Sequence, residues 1–294
     1  MKVALIGVGN MGLGMALRLC ERGHTLRVHD LLPKRMALAA ATGAQHFASA
    51  AAAAEGCDLA IIVVVDATQT EAVLFGPQGI VQSLKAGADV MLCPTIAPDD
   101  VERFAARLAD HGLGCLDAPM SGGPARARDG SMSLMLAGPE SLLQRHAQLL
   151  ADLSSQRHSI SQRCGDGART KLVNNLLAAV NLAGAAEAIA LAQRLGLDGG
   201  RTLAVIAQSS GQSWIGSDRM ARALADDFAP RAHTTLLAKD TALALAMAAR
   251  VDVVPRLGSQ AAALFQQVLV AGFGDEDDSR LLSLLQAQRM AGPA

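Results

Sequence analysis

Lys171, Asn174 and Asn175 stand three and four positions apart in the stretch GDGARTKLVNN, at the head of a long Ala/Leu-rich run. On a helix this spacing places both amides beside the amine on one face. No acidic residue follows Asp166 within the stretch. A lysine in such company can exchange a proton with a bound substrate if desolvation lowers its pKa, and uncharged amides orient an amine without raising its pKa as a carboxylate would. The plain alternative is a solvated first helical turn whose polar residues face water.

A second chemical pattern opens the chain. GVGNMG places Gly7, Gly9 and Gly12 in GxGxxG register between the apolar run KVALIG and the helical segment LGMALRLCERG. In that context Gly7 permits the tight turn, Gly9 lets the backbone approach a pyrophosphate, and Gly12 lets helix and strand pack closely. The helix N-terminus then favours the phosphate charge. Asn10 and Met11, inside the motif, are assigned to the same dinucleotide site. The next apolar run, TLRVHD, ends at Asp30, about 18 residues beyond Gly12, where a carboxylate accepts hydrogen bonds from the ribose hydroxyls and repels a 2′-phosphate. Asp30 therefore favours NAD; Lys34 and Arg35 lie close enough to leave NADP or dual use open.

These residues need a frame to hold them. KVALIG, TLRVHD, LAIIVVVD, DVMLCP, GLGCLDAP and MSLMLAG are short apolar runs separated by helix-length segments. That alternation predicts a doubly wound, mostly parallel sheet with helical crossovers, an α/β Rossmann domain. The low-complexity ASAAAAAEG reads as one crossover helix. Beyond residue 165 strand signals vanish, and a long helix over Arg169–Leu195, stopped by Gly196, opens an all-α remainder. The expected division is 1–163 for dinucleotide binding and 164–294 for a helical substrate and oligomerisation domain. Gly165 and Gly167 would make the turn between them, with Asp166 as the N-terminal cap of the long helix.

At 294 residues and 51% hydrophobic, the chain can bury a substantial core without staples. Its 26 basic and 27 acidic residues create no overall field for nucleic acid or an anionic membrane, so the expected partner is small. Five cysteines without CxxC or Cys/His metal spacing argue against a metal site or a disulfide framework and fit a reducing cytoplasm. No secretory pattern precedes the first strand, and no charge-free apolar run is long enough to span a membrane.

DAPMSGG adds a third pattern: Ser121, Gly122 and Gly123 form a turn whose hydroxyl and backbone amides could converge on a carboxylate. GVGNMG, DAPMSGG, GDGARTKLVNN and LLAKD, in that order and spacing over essentially the whole chain, resemble the β-hydroxyacid dehydrogenases, the group that includes 3-hydroxyisobutyrate dehydrogenases and tartronate semialdehyde reductases. The resemblance implies an N-terminal Rossmann domain, a long interdomain helix, an all-helical C-terminal domain, and association as homodimers or homotetramers. It implies that Lys171 is the catalytic acid/base, that Ser121, Gly122 and Gly123 hold the substrate carboxylate, and that Asn175, with Asn174 beside it, fixes Lys171 and substrate. Lys239 matches a lysine approaching the cofactor, with Asp240 next to it, and Thr95 in CPTIAP a residue near the nicotinamide. Where many members carry Leu-Pro after a Rossmann strand, Val65 and Asp66 stand here at the cofactor.

SSGQSW, with Trp214, and APRAHTTLLAKD are similar to members acting on sugar acids such as threonate. For Trp214 the alternative is a core or subunit contact. The implied reaction is hydride transfer between a nicotinamide and a small 3-hydroxy acid such as 3-hydroxyisobutyrate, L-threonate or glycerate, with Lys171 moving the hydroxyl proton. 6-Phosphogluconate dehydrogenases and imine reductases share the architecture; the former carry His at the place of Asn174, and the latter typically lack the lysine at 171. A non-catalytic NAD(H)-binding regulator would need only the glycine motif.

Overall fold

The computed structural model describes residues 1–287 and divides into two compact units, Met1–Lys171 and a second from Leu172 onward. In the first unit the strands begin with β1 (Lys2–Ile6), β2 (Thr25–His29), β3 (Gln45–His46), β4 (Leu59–Ile62) and β5 (Asp89–Leu92). They continue with β6 (Gly114–Asp117), β7 (Met120–Ser121), β8 (Ser133–Ala137) and β9 (Gln156–Ser161). Between them lie α1 (Asn10–Glu21), α2 (Pro33–Ala40), α3 (Ala50–Ala54), α4 (Ala67–Phe75), α5 (Pro98–Asp110), α6 (Gly123–Asp129), α7 (Glu140–Arg145) and α8 (Ala147–Leu153).

One sheet runs β3-β2-β1-β4-β5-β6-β8-β7, with β9 on β8. From β3 to β6 all pairs are parallel, and the order reverses about β1. The central runs are apolar throughout because both sheet faces are covered: Val3, Leu5, Ile61 and Met91 belong to one core, and Ala4, Ile6, Ile62 and Val90 to another. The predicted strand MSLMLAG is β8, but it pairs antiparallel with β6 and β7. The chain reverses on Gly130, whose left-handed backbone (φ 80°) ends α6.

β3, β7 and β9 have no counterpart among the expected strands. β3 and β7 are two residues each, and β9 (QRHSIS) is exposed along most of its length, so none carries an apolar run.

The second unit is helical: α10 (Gly199–Ile206), α11 (Trp214–Leu224), α12 (Thr234–Ala249), α13 (Arg256–Val270) and α14 (Leu281–Ala287) follow the long α9 (Asp166–Arg194). The boundary between the units falls inside α9, so its first residues, through Lys171, belong to the first unit. Gly196 (φ 79°) stops it, and the Leu197 amide reaches back to the carbonyl of Ala192. By length and composition α9 could cross a membrane. Its Ala179, Leu182, Ala186 and Ile189 instead join Leu237, Phe265 and Val268 in the core of the second unit.

Candidate active site

The glycine turn sits where β1 ends, at the point about which strand order reverses, the place where doubly wound sheets bind ligands. Gly7 has φ 94° and donates its amide to the His29 carbonyl at 2.9 Å. A Cβ there would collide with the Val63 carbonyl, and one at Gly12 with the Gly7 carbonyl. At Gly9, the N-cap of α1, an added Cβ meets nothing within 4 Å. Gly7 and Gly12 therefore shape the turn, while Gly9 leaves open space where a pyrophosphate would approach. These residues fit a dinucleotide.

Asp30 lies at the end of β2 as expected. Its carboxylate accepts the amides of Val8 (2.8 Å) and Leu32 (2.9 Å), which ties it to the glycine turn. Arg35 donates to the Asn10 side chain at 2.8 Å, so α2 is pinned to the first residue of α1. Met11 is half-buried in the same turn. Val65 is exposed, and Asp66 caps α4 by accepting the Gln69 amide at 2.8 Å, while Gln69 accepts the Val65 amide at 3.1 Å. Thr95 follows β5 and is half-buried.

Ser121 ends β7, where it pairs with Ser133. Gly122 (φ 129°) and Gly123 (φ 75°) then take conformations that only glycine adopts readily, so the turn expected of SGG is present. It leads into α6, which packs closely on α1: a Cβ at Gly14 would come within 2.9 Å of the Pro124 carbonyl oxygen and 3.1 Å of Ala127 Cβ. The dinucleotide turn and the SGG turn thus share one layer of the first unit.

Lys171 lies in the first turns of α9 and is 7% exposed, so the solvated-surface alternative does not hold. The cap of this helix differs from expectation. Asp166 accepts from Ser161 Oγ (2.7 Å), Arg163 (2.9 Å) and Arg169 (2.9 Å), an ion-pair cluster at the surface. The helix amides go to Asp117 instead, whose Oδ2 accepts from Gly165 (2.8 Å) and Ala168 (3.0 Å). Gly167 is needed for that approach, because a Cβ there would lie 2.7 Å from the Met135 carbonyl oxygen and 2.9 Å from Asp117 Oδ2. Asp117 is 1% exposed. Burial pushes its carboxyl up to about 6 against the pull of the Ala168, Gly165 and Gly167 amides, with the Asp166 charge adding to the rise. The thiols of Cys93, Cys115 and Cys164 are also among its titratable neighbours. Asp117 stands in DAPMSGG, four residues before Ser121, and sequence reasoning gave it no role.

In the second unit, Asn175 donates to Asp240 Oδ2 at 2.6 Å and accepts from Asn174 at 3.1 Å. Lys239 pairs with Asp240 Oδ1 at 2.8 Å, so one buried carboxylate holds both Asn175 and Lys239. Trp214 begins α11, whose N-cap Ser213 accepts the Gly216 amide. The indole is 47% exposed, with the Arg219 guanidinium 6.0 Å from its ring centre, and a core role is excluded.

The sheet topology, the glycine turn at its switch point and the strand-end carboxylate define a dinucleotide-binding protein. Comparison with known proteins carries the identification further. Residues 2–164 match the NAD binding domain of 6-phosphogluconate dehydrogenase, and residues 165–285 the NAD-binding region of NADP-dependent 3-hydroxyisobutyrate dehydrogenase. The L-threonate dehydrogenase of Cupriavidus necator is 35% identical over 99% of this chain and 98% of its own. The 3-hydroxyisobutyrate dehydrogenase of Pseudomonas aeruginosa is 34% identical over 90% of each. The crystal structure of a 3-hydroxyisobutyrate dehydrogenase from Salmonella typhimurium superposes with a TM-score of 0.90 at 35% identity, covering 96% of this chain and 99% of that one. The chain belongs to the β-hydroxyacid dehydrogenase family and is an NAD(P)-dependent hydroxyacid dehydrogenase.

Proposed function

We propose that this dehydrogenase acts on a small hydroxy acid of the L-threonate or 3-hydroxyisobutyrate kind, with NAD as the preferred cofactor and Lys171 as general acid/base. The burial of Lys171 carries the reading: a lysine 7% exposed in the first turns of a capped helix is largely removed from bulk water, a setting in which an amine can exchange a proton with a bound substrate. Ser121 Oγ and the amides of Gly122 and Gly123 hold the substrate carboxylate. Asn174, Asn175 and Trp214 are assigned to the substrate, and Asn175 also to the orientation of Lys171, one helical turn before it. Gly7, Gly9, Asn10, Met11, Gly12, Asp30, Val65, Asp66, Thr95 and Lys239 are assigned to the cofactor. Residues 1–163 carry dinucleotide binding, and residues 164–294 substrate selection and self-association.

When bound, the nicotinamide supplies the hydride acceptor or donor. In oxidation Lys171 Nζ takes the proton of the alcohol as the C–H electron pair leaves the same carbon; in reduction the ammonium returns that proton to the developing alkoxide. The SGG turn fixes the carboxylate, and orientation of this kind supplies a large share of the barrier reduction. NAD is favoured because Asp30 presents a carboxylate, already anchored by two amides, where a 2′-phosphate would bring further negative charge.

A homodimer or homotetramer is supported by apolar side chains left exposed in the helical unit, among them Leu177, Leu191, Leu257 and Val270. A cytoplasmic location is supported by five free cysteines, none engaged in a disulfide. The test is an assay of L-threonate, D-glycerate, L-serine, 3-hydroxyisobutyrate and tartronate semialdehyde with each cofactor in the matching redox state. Turnover with NAD, its loss by about 10²–10⁴-fold in Lys171→Ala, and NADH affinity kept within a few-fold are expected. Turnover retained by Lys171→Ala rejects the acid/base assignment. A preference for NADP beyond about tenfold, or ~1.4 kcal/mol, rejects the reading of Asp30.

A further inference from the structure

The carboxylate that caps α9 belongs to the strand that delivers the SGG turn. β6 ends at Asp117, and four residues later the same segment reaches Ser121. Between them the backbone is held on both sides: the Ala118 amide donates to Leu92, and the Pro119 carbonyl accepts from Met135. Ser121 therefore stands in fixed register to Asp117. In the other direction, Asp117 Oδ2 takes the amides of Gly165 and Ala168, and Lys171 lies three residues, just under one helical turn, beyond Ala168. One buried side chain thus links the backbone of the carboxylate-binding turn to the backbone that carries the lysine.

A less demanding helix start was available. Asp166 stands at the head of α9 yet spends its oxygens on Ser161, Arg163 and Arg169. A cap from the helix's own first residue would satisfy those amides without joining them to the sheet. Asp117 joins them to β6, and Gly167 removes the side chain that would hold the helix away from it.

We propose that Asp117 is a positioning residue for the reaction, setting the first turn of α9 against the Ser121–Gly123 turn so that Lys171 Nζ stands at proton-transfer distance from the hydroxyl of the acid held there. The proposal rests on the assignment of Lys171 and Ser121 under Proposed function. It makes Asp117 act through Lys171, without touching substrate or cofactor.

The experiment compares Asp117→Asn, Asp117→Ala and Lys171→Ala in the full chain, using the best substrate of the panel above with NAD. kcat, KM for the acid, NADH affinity by its fluorescence, and the melting temperature are measured. Misplacement of a reacting group by about 1 Å can cost ~100-fold in rate, so kcat should fall by ~100-fold in Asp117→Ala and by about tenfold in Asp117→Asn, which keeps a weaker acceptor. KM and NADH affinity should stay within about threefold, because the two binding turns keep their own backbone. If kcat stays within about twofold of the parent, or NADH affinity falls in step with kcat, the residue is structural only and the proposal is overturned. Should Asp117→Ala fail to fold, Asp117→Asn decides by the same criteria. Lys171→Ala separates the two levels. Turnover retained there, or none by the parent with any panel acid, rejects the functional reading itself; a dead Lys171→Ala beside an unaffected Asp117→Asn rejects this inference alone.

Discussion

Two of the glycine-built passages that lead into helices of the first unit are finished in opposite ways. At the head of α1, the N-cap is Gly9, which has no side chain to cap with, and space remains around it. At the head of α9, Gly165 and Gly167 admit the carboxylate of Asp117 from inside the sheet, and it takes the helix amides. The first end keeps its amides and partial positive charge for a ligand phosphate. The second satisfies them internally, so its helix serves as a mount for the side chain one turn further on. Glycine before a helix is thus compatible with a binding site or with an internal clamp, and what decides is whether a carboxylate of the chain arrives first.

The difference should be largest in how stability responds to pH. Asp117 has its pKa raised by burial from 3.8 to about 6, so the native state holds the proton more tightly than the unfolded chain does. Its contribution to stability is complete below pH 3.8 and is lost as pH rises through 6, amounting to about 3 kcal/mol over the whole titration. Denaturant unfolding of the parent and Asp117→Asn from pH 4 to 7.5 should give curves that diverge over this window, with the variant flatter. Asp278, whose burial also places its carboxyl at about 6 despite Arg219, titrates in both proteins and cancels in the comparison. Parallel curves would mean that the carboxylate at the head of α9 is better hydrated than its 1% exposure indicates.

Equivalent substitutions at the two glycine passages should separate fold from binding. Gly167→Ala brings a methyl group within 2.7 Å of the Met135 carbonyl oxygen, a backbone atom that cannot swing aside. A loss of about 2 kcal/mol, seen as a lower melting temperature, is expected. Gly9→Ala meets no protein atom within 4 Å and should leave the melting temperature of the ligand-free protein within the ~0.5 kcal/mol typical of neutral sites. Its methyl group would instead stand where the phosphates approach, weakening NADH by about tenfold, or ~1.4 kcal/mol. Unchanged NADH affinity in Gly9→Ala would remove the contrast between an open helix end and a filled one.

Much of the first passage was legible in the sequence, and little of the second. GVGNMG is a local pattern: its strand, turn and helix lie within about twenty residues, and Asp30 follows at the distance set by one crossover. The central strands were legible for a related reason, since burial on both faces leaves uninterrupted apolar runs. β9 was not, because its QRHSIS is exposed at the sheet's end and carries no such signal. The clamp on α9 joins residues about fifty apart, and nothing in DAPMSGG tells whether its aspartate faces water or a helix start. The burial of Lys171 is a tertiary fact of the same kind. Resemblance supplied a role for that lysine, whereas the means of holding it emerged only from the packing.

Asp166 shows where local reasoning misleads, and it supplies the smallest expected effect. An aspartate after glycine at the head of a helical run is a good cap by sequence alone. Here its carboxyl is held at about 2 by hydrogen bonds from Arg163 and Ser161, with Arg169 adding to them. A lowered pKa of this kind contributes stability above pH 3.8 that is lost as pH falls toward 2, the reverse of Asp117. Because the guanidinium of Arg163 is largely exposed and that of Arg169 about one-third exposed, the cluster is screened, and Asp166→Ala should cost no more than about 1 kcal/mol at pH 7. Its kcat should stay close to that of the parent, since the amides of Gly165 and Ala168 remain on Asp117. Melting curves and steady-state rates of Asp166→Ala beside Asp117→Ala test this directly. If the surface aspartate proved the costlier loss in either measurement, the helix would be held from outside the sheet, and the two glycine passages would differ less than their geometry indicates.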